Sequence, residues 1–274
     1  MKAGEFEAPG LVYRYVETGS GPVVLLLHGF TGSKANWAAL MGALADDFRL
    51  LAVDLPGHGE SDAPTDPARY DMAAVARDLT ALLDHLDVDS AHLVGYSMGG
   101  RLALYLALVE LARWRSLVLE SASPGLAMEA ERVERRKKDA ALADFIEREG
   151  VEPFIDRWER LPLFTSQRRL PEAVRQAHRE GRLRNRARGL AGSLRGMSTG
   201  IQPSLGERLG ELALPSLLIV GELDEKFVAL AREMLARMPQ ALLTVVPEAG
   251  HAVHLERLNV YSELLRRWLV EFEQ

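Results

Sequence analysis

The pentapeptide Gly95-Tyr96-Ser97-Met98-Gly99 sets a serine between glycines, directly after the apolar residues 91–94 and before the helix-forming residues 102–107. That pattern places Ser97 on a tight strand-to-helix turn, with its hydroxyl pushed out of the fold. The helix behind it turns backbone N–H groups and a positive dipole end towards any oxyanion that forms nearby. A serine so placed needs a base to take its proton and an acid to orient that base. His251, just past the apolar residues 241–246, is the candidate base. Asp224, just past the apolar residues 216–220, is the candidate acid, and Glu120 at another strand end is its rival. The chain order Ser, Asp, His is the one this turn type predicts. Two backbone N–H groups complete the chemistry as an oxyanion hole: that of Met98, and that of Phe30 in the loop His28-Gly29-Phe30-Thr31-Gly32.

Residues so far apart meet only if the fold brings strand ends together. Apolar runs at residues 23–27, 50–53, 91–94, 116–119, 216–220 and 241–246 alternate with helical stretches at 33–45, 72–86 and about 260–272. This alternation predicts an α/β fold: a mostly parallel sheet with helices on both faces and its site at the carboxyl ends of the strands. Residues 12–16 alternate like a half-exposed antiparallel edge strand. Between 125 and 208 no strand-like run occurs, and Arg and Glu mix there with Phe145, Phe154, Trp158 and Phe164. The expected division is a core of 1–124 and 209–274 with a helical cap inserted at 125–208.

Composition narrows the partners. The 274 residues carry a net charge of −6, so no basic excess points to nucleic acid. No apolar run reaches the roughly 18–20 residues of a membrane span, and the first residues lack the apolar segment of a secretory leader. A cytoplasmic monomer acting on a small molecule is the default expectation. With no cysteine, thiolate nucleophiles, disulfides and cysteine-bound zinc are excluded. No metal or other cofactor is called for.

The cations are unevenly placed. Arg132, Arg135 and Arg136 share one helical face by their spacing, and residues 182–195 hold another run. Single arginines of this kind usually face solvent. Arg101 differs, lying one helical turn past Ser97. The residues 54–61, Asp-Leu-Pro-Gly-His-Gly-Glu-Ser, fix a loop shape rather than do chemistry. His28 suits a structural bond within its own loop. His85, His92 and His178 have no partner visible in the sequence, and His254 suits a pocket wall.

The set His28-Gly29-Phe30, Asp54-x-Pro56-Gly57-His58-Gly59-x-Ser61, Gly95-x-Ser97-x-Gly99-Gly100, Asp224 and Gly250-His251 resembles the α/β-hydrolase superfamily. Finer strings resemble one member family, the 2-succinyl-6-hydroxy-2,4-cyclohexadiene-1-carboxylate synthases of menaquinone biosynthesis. They include Arg101 after the serine motif, Arg132-x-x-Arg135, Trp158-x-x-x-Pro162-Leu163-Phe164, Ser198-Thr199-Gly200-x-Gln202-Pro203-Ser204-Leu205 and Gly221-Glu222-x-Asp224-x-Lys226-Phe227. Gly206 and Leu258 depart from it, standing where tryptophan and proline are common. The resemblance implies a lyase that eliminates pyruvate, with Ser97 activated by His251 as the base. It implies carboxylate binding by Arg101, Arg135 and Arg182, a pocket lined by Tyr96 and Trp158, a polycarboxylate substrate and no cofactor. Arg136 and Arg188 are expected to face solvent. The alternatives are a serine carboxylesterase or thioesterase with the same triad, and a non-catalytic receptor that keeps the fold.

Overall fold

The apolar runs become the interior of one eight-stranded sheet in a computed structural model that describes residues 1–273. The strands are β1 (Lys2–Ala8), β2 (Leu11–Thr18), β3 (Val23–Leu27), β4 (Arg49–Val53), β5 (Ala91–Tyr96), β6 (Trp114–Glu120), β7 (Ser216–Gly221) and β8 (Ala241–Val246). Their spatial order is β1-β2-β4-β3-β5-β6-β7-β8. Every pair from β4 to β8 is parallel, whereas β2 runs antiparallel to both β1 and β4. In β3 the side chains divide by the pleat: Leu25 and Leu27 enter one core, Val24 and Leu26 the other. A strand covered on both sides must be apolar at successive positions, which is why it appears as an unbroken run.

Helices α2 (Met72–His85), α3 (Met98–Val109) and α8 (Glu225–Leu235) cover the first face; α1 (Ala38–Leu44) and α10 (Leu258–Glu271) cover the second. On α2, Val75, Leu79, Leu82 and Leu83 are buried, and the Asp71 carboxylate caps its first turn by accepting from the Ala73 and Ala74 N–H groups.

One expectation is corrected here. Residues 12–16 do not lie at the edge, because β1 pairs with residues 11–17 of β2 and takes that place. The sequence of β1, Lys-Ala-Gly-Glu-Phe-Glu-Ala, has no apolar run to announce it. It holds by its ladder and by Phe6, whose ring packs against Tyr13.

Between β6 and β7 come α4 (Glu129–Glu149), α5 (Val151–Trp158), a 3₁₀ stretch (Pro162–Arg169), α6 (Glu172–Leu183) and α7 (Ala187–Met197). They enclose a small core of their own, built on Ala143, Ile146, Phe154, Ile155 and Leu190. Phe30, from the loop after β3, packs against that core. The short helix α9 (Val253–Glu256) precedes α10.

Candidate active site

The turn from β5 into α3 holds Ser97 at φ 51° and ψ −107°, a conformation that non-glycine residues adopt only where packing imposes it. The packing here is very close: a Cβ on Gly99 would sit 2.2 Å from the Leu27 carbonyl oxygen. Glycine alone lets α3 start this near β3, and the turn lifts the Ser97 hydroxyl above the sheet.

Ser97 Oγ lies 3.1 Å from His251 Nε2, and His251 Nδ1 lies 2.6 Å from Asp224 Oδ2. The carboxylate accepts the Nδ1 proton, which leaves the Nε2 lone pair facing the serine hydroxyl. Asp224 follows β7 and starts α8, His251 follows β8, and both are buried. Glu120 is fully buried too, but its carboxylate accepts from the His254 backbone N–H (3.0 Å) and Nδ1–H (2.9 Å). The rival acid is therefore engaged elsewhere. His254 in turn packs its ring against Trp37 and Tyr96.

Met98 opens α3, so its N–H has no carbonyl partner one turn earlier in the helix. A Cβ on Gly29 would lie 3.4 Å from the Ser97 Cβ, so the loop carrying Phe30 rests against the serine.

That loop is braced by two neutral histidines. His28 Nε2 accepts from the Leu55 N–H (3.0 Å), and its Nδ1–H donates to the Gly29 carbonyl (2.8 Å). His58 donates from Nδ1 to the Pro56 carbonyl and packs beside His28. Burial, above all, pushes their pKa values down to about 4 for His28 and about 3 for His58. An unfolded chain takes up protons at these sites below its usual histidine value of about 6.5, while the folded one refuses them. Stability from this source is whole above that pH and falls as the pH drops towards 4. Each site should cost about 2 kcal/mol by pH 5. Urea unfolding at pH 7 and pH 5 checks this, and an unchanged midpoint would count against neutral burial.

The Ser97 turn opens on a cavity of about 850 Å³, walled on one side by strand ends and on the other by the inserted helices. Arg101, Arg135 and Arg182 all line it, as do Tyr96 and Trp158. Arg101 donates to the Met197 carbonyl (2.9 Å) and to Gln202 Oε1. Burial lowers its pKa to about 9, with nearby Arg135 adding to the effect and Asp139 opposing it. Arg135 donates to Asp139 (2.6 Å), and Arg182 to Glu159 (3.0 Å). Trp158 closes the wall against Phe30 and Phe164. Arg188 is exposed, as expected. Arg136 is not free in solvent; it is half-buried and donates to the Gly200 carbonyl (3.0 Å) and to Glu129. Its helical face turns towards the 198–202 turn rather than away from the protein.

Arg169, Lys226, His178 and Asn36 also reach the cavity, although no sequence-based expectation placed them there. One signal was available: His178 stands four residues before Arg182, on the same face of α6. Among the described residues, the only carboxylate in the lining is Asp224, already held by His251. A chain of net charge −6 thus keeps a cavity walled by cations. Among the described residues there is no group of His, Asp and Glu placed to hold a metal ion, and no helix long and apolar enough to cross a membrane.

Comparison with known proteins places this architecture. The family model of the alpha/beta hydrolase fold matches residues 22–258. A Bacillus subtilis (strain 168) protein, provisionally named 2-succinyl-6-hydroxy-2,4-cyclohexadiene-1-carboxylate synthase, is 46% identical over 260 residues, covering 93% of this chain and 94% of the relative. The solved structure of MenH from S. aureus superposes with a TM-score of 0.91 at 34% identity, covering 96% of this chain and 99% of that one. A thermophilic esterase from Thermogutta terrifontis, solved with malate bound, follows with a TM-score of 0.87 at 29% identity, each chain covered in full (100% and 100%).

Proposed function

The chain belongs to the α/β-hydrolase family and, within it, to the 2-succinyl-6-hydroxy-2,4-cyclohexadiene-1-carboxylate synthases, and on that footing we propose that it eliminates pyruvate from 2-succinyl-5-enolpyruvyl-6-hydroxy-3-cyclohexene-1-carboxylate. The observation that carries this reading is the cationic wall around Ser97. A substrate with several carboxylates needs converging guanidinium groups, because their planar fork binds a carboxylate through paired N–H donors. An esterase for neutral substrates gains little from them.

The residues fit the chemistry in sequence. His251, oriented by Asp224, takes the Ser97 proton, and Ser97 Oγ removes the proton from the ring carbon that bears the succinyl group. That carbon is α to a ketone, so negative charge develops on the ketone oxygen. The Phe30 and Met98 N–H groups receive it. The ring double bond then shifts and the enolpyruvyl oxygen departs, its enol becoming pyruvate. No water is consumed and no acyl-enzyme forms. Arg101, Arg135 and Arg182 hold carboxylates, Tyr96 and Trp158 shape the apolar wall, and residues 125–208 act as the cap that keeps water out.

Incubating the protein with the enolpyruvyl substrate should release pyruvate, detected with lactate dehydrogenase and NADH, in step with the diene's absorbance. A chromogenic ester should give little burst. The esterase neighbour supplies the competing outcome: a stoichiometric ester burst without pyruvate would keep the triad and discard the elimination.

A further inference from the structure

Near Arg182 the cavity holds a histidine that the reaction scheme leaves unused. His178 stands one turn before Arg182 on α6, and both side chains line the cavity. Its protonation pattern follows from a chain of contacts. Asn36 Oδ1 accepts from the Ser33 N–H at 2.6 Å, which turns the Asn36 amide nitrogen towards His178. That nitrogen meets His178 Nδ1 at 3.5 Å, a long contact in which Nδ1 can only be the acceptor. The ring proton therefore sits on Nε2, for which the described residues supply no partner. Burial, then the charge of Arg182 and the proximity of His254, lower the ring's pKa to about 3, so it stays neutral under working conditions. A neutral imidazole with a fixed, unpartnered N–H beside a guanidinium is a directional donor that adds no charge.

We propose that His178 binds substrate directly, donating its Nε2–H to an oxygen of the same carboxylate that Arg182 holds. The inference rests on the polycarboxylate reading of the site. Arg182 supplies the charge and His178 the direction, and Asn36 sets the donor's orientation from the core side, so the carboxylate is gripped where core and cap meet. The sequence could not reveal this, because Asn36 and His178 are neighbours only through the fold.

The test replaces the donor while sparing the shape. His178→Leu and His178→Phe remove the N–H; His178→Gln keeps an N–H near the Nε2 position. In the pyruvate-release assay the first two should raise KM about 10-fold or more with kcat changed less than about 3-fold, and His178→Gln should recover most of the loss. Thermal melts on each variant confirm folding, and the two donor-free variants guard against one misfolding. Calorimetric titration with succinate, a simple dicarboxylate, reads the same grip without turnover, and the donor-free variants should bind it about 10-fold more weakly. Unchanged KM and succinate affinity in His178→Leu and His178→Phe overturn the proposal, as does a His178→Gln no better than either. If the wild type releases no pyruvate, the elimination reading fails by itself and the succinate titration still judges His178. A wild type that also ignores succinate overturns both.

Discussion

Ser97→Ala is expected to lower kcat for pyruvate release by about 10³-fold or more, with KM nearly unchanged. The hydroxyl is the group nearest the reacting ring in the proposed scheme, and His251 is aimed at it rather than at open cavity. Removing it leaves the imidazole without a relay to substrate, while the arginine wall proposed to bind the substrate stays intact. His251→Ala should fall by a similar factor. The double variant should be little worse than either, since the pair acts as a unit. The measurement is steady-state kinetics with the folded state checked by melting temperature. A Ser97→Ala enzyme retaining more than a tenth of wild-type kcat would remove the serine from the mechanism and leave His251 to act on substrate alone.

The second large effect is expected at Arg101. Its alanine variant should lose about 2–5 kcal/mol in kcat/KM, or roughly 30-fold to several thousand-fold, if the carboxylate it meets is desolvated. Two observations rank it above the other cavity arginines. Its guanidinium is buried deeply enough to depress its pKa, and it also ties the Met197 carbonyl and Gln202 to the helix behind the serine. Arg182, whose side chain is 11% exposed, should come next, and Arg135, at 44% and already paired with Asp139, should cost least. Arg101→Lys keeps the charge but loses the fork, so it should recover only part of the loss. Equal kcat/KM across all three alanine variants would contradict the ranking by burial. An Arg101→Ala enzyme with near wild-type kcat/KM would contradict the role itself.

What the sequence disclosed depended on whether a signal was local. Ser97, Asp224 and His251 each follow an apolar run, so the strand ends that gather them are recognisable in the chain itself. Arg101 was recognisable because one helical turn is a fixed distance. Strand β1 escaped notice because its stability comes from pairing with β2, and its own residues alternate with charges. The same omission made β2 look like an edge. Arg136 looked solvated because helical spacing reveals a shared face but not what that face meets. His178 and Arg169 join the site through the way the inserted segment folds back over the strand ends. The spacing of His178 and Arg182 reveals their shared face but not the cavity it meets, and Lys226, two residues past Asp224, enters from the start of α8.

The internal pairing of the cavity's cations bears on how turnover ends. Arg135 and Arg182 carry resident counter-ions in Asp139 and Glu159, so an incoming carboxylate must compete with a tethered one. A substrate that presents several carboxylates on one framework wins this competition through effective concentration, each arm helping the next. Elimination cuts the framework and parts the carboxylates between two molecules. The diene keeps two carboxylates and pyruvate takes one, so each fragment engages fewer arms at once than the substrate did, and Asp139 and Glu159 compete better for their arginines. In the proposed elimination, the tethered carboxylates thereby favour departure of the products over their retention, and bond cleavage itself becomes the signal for release.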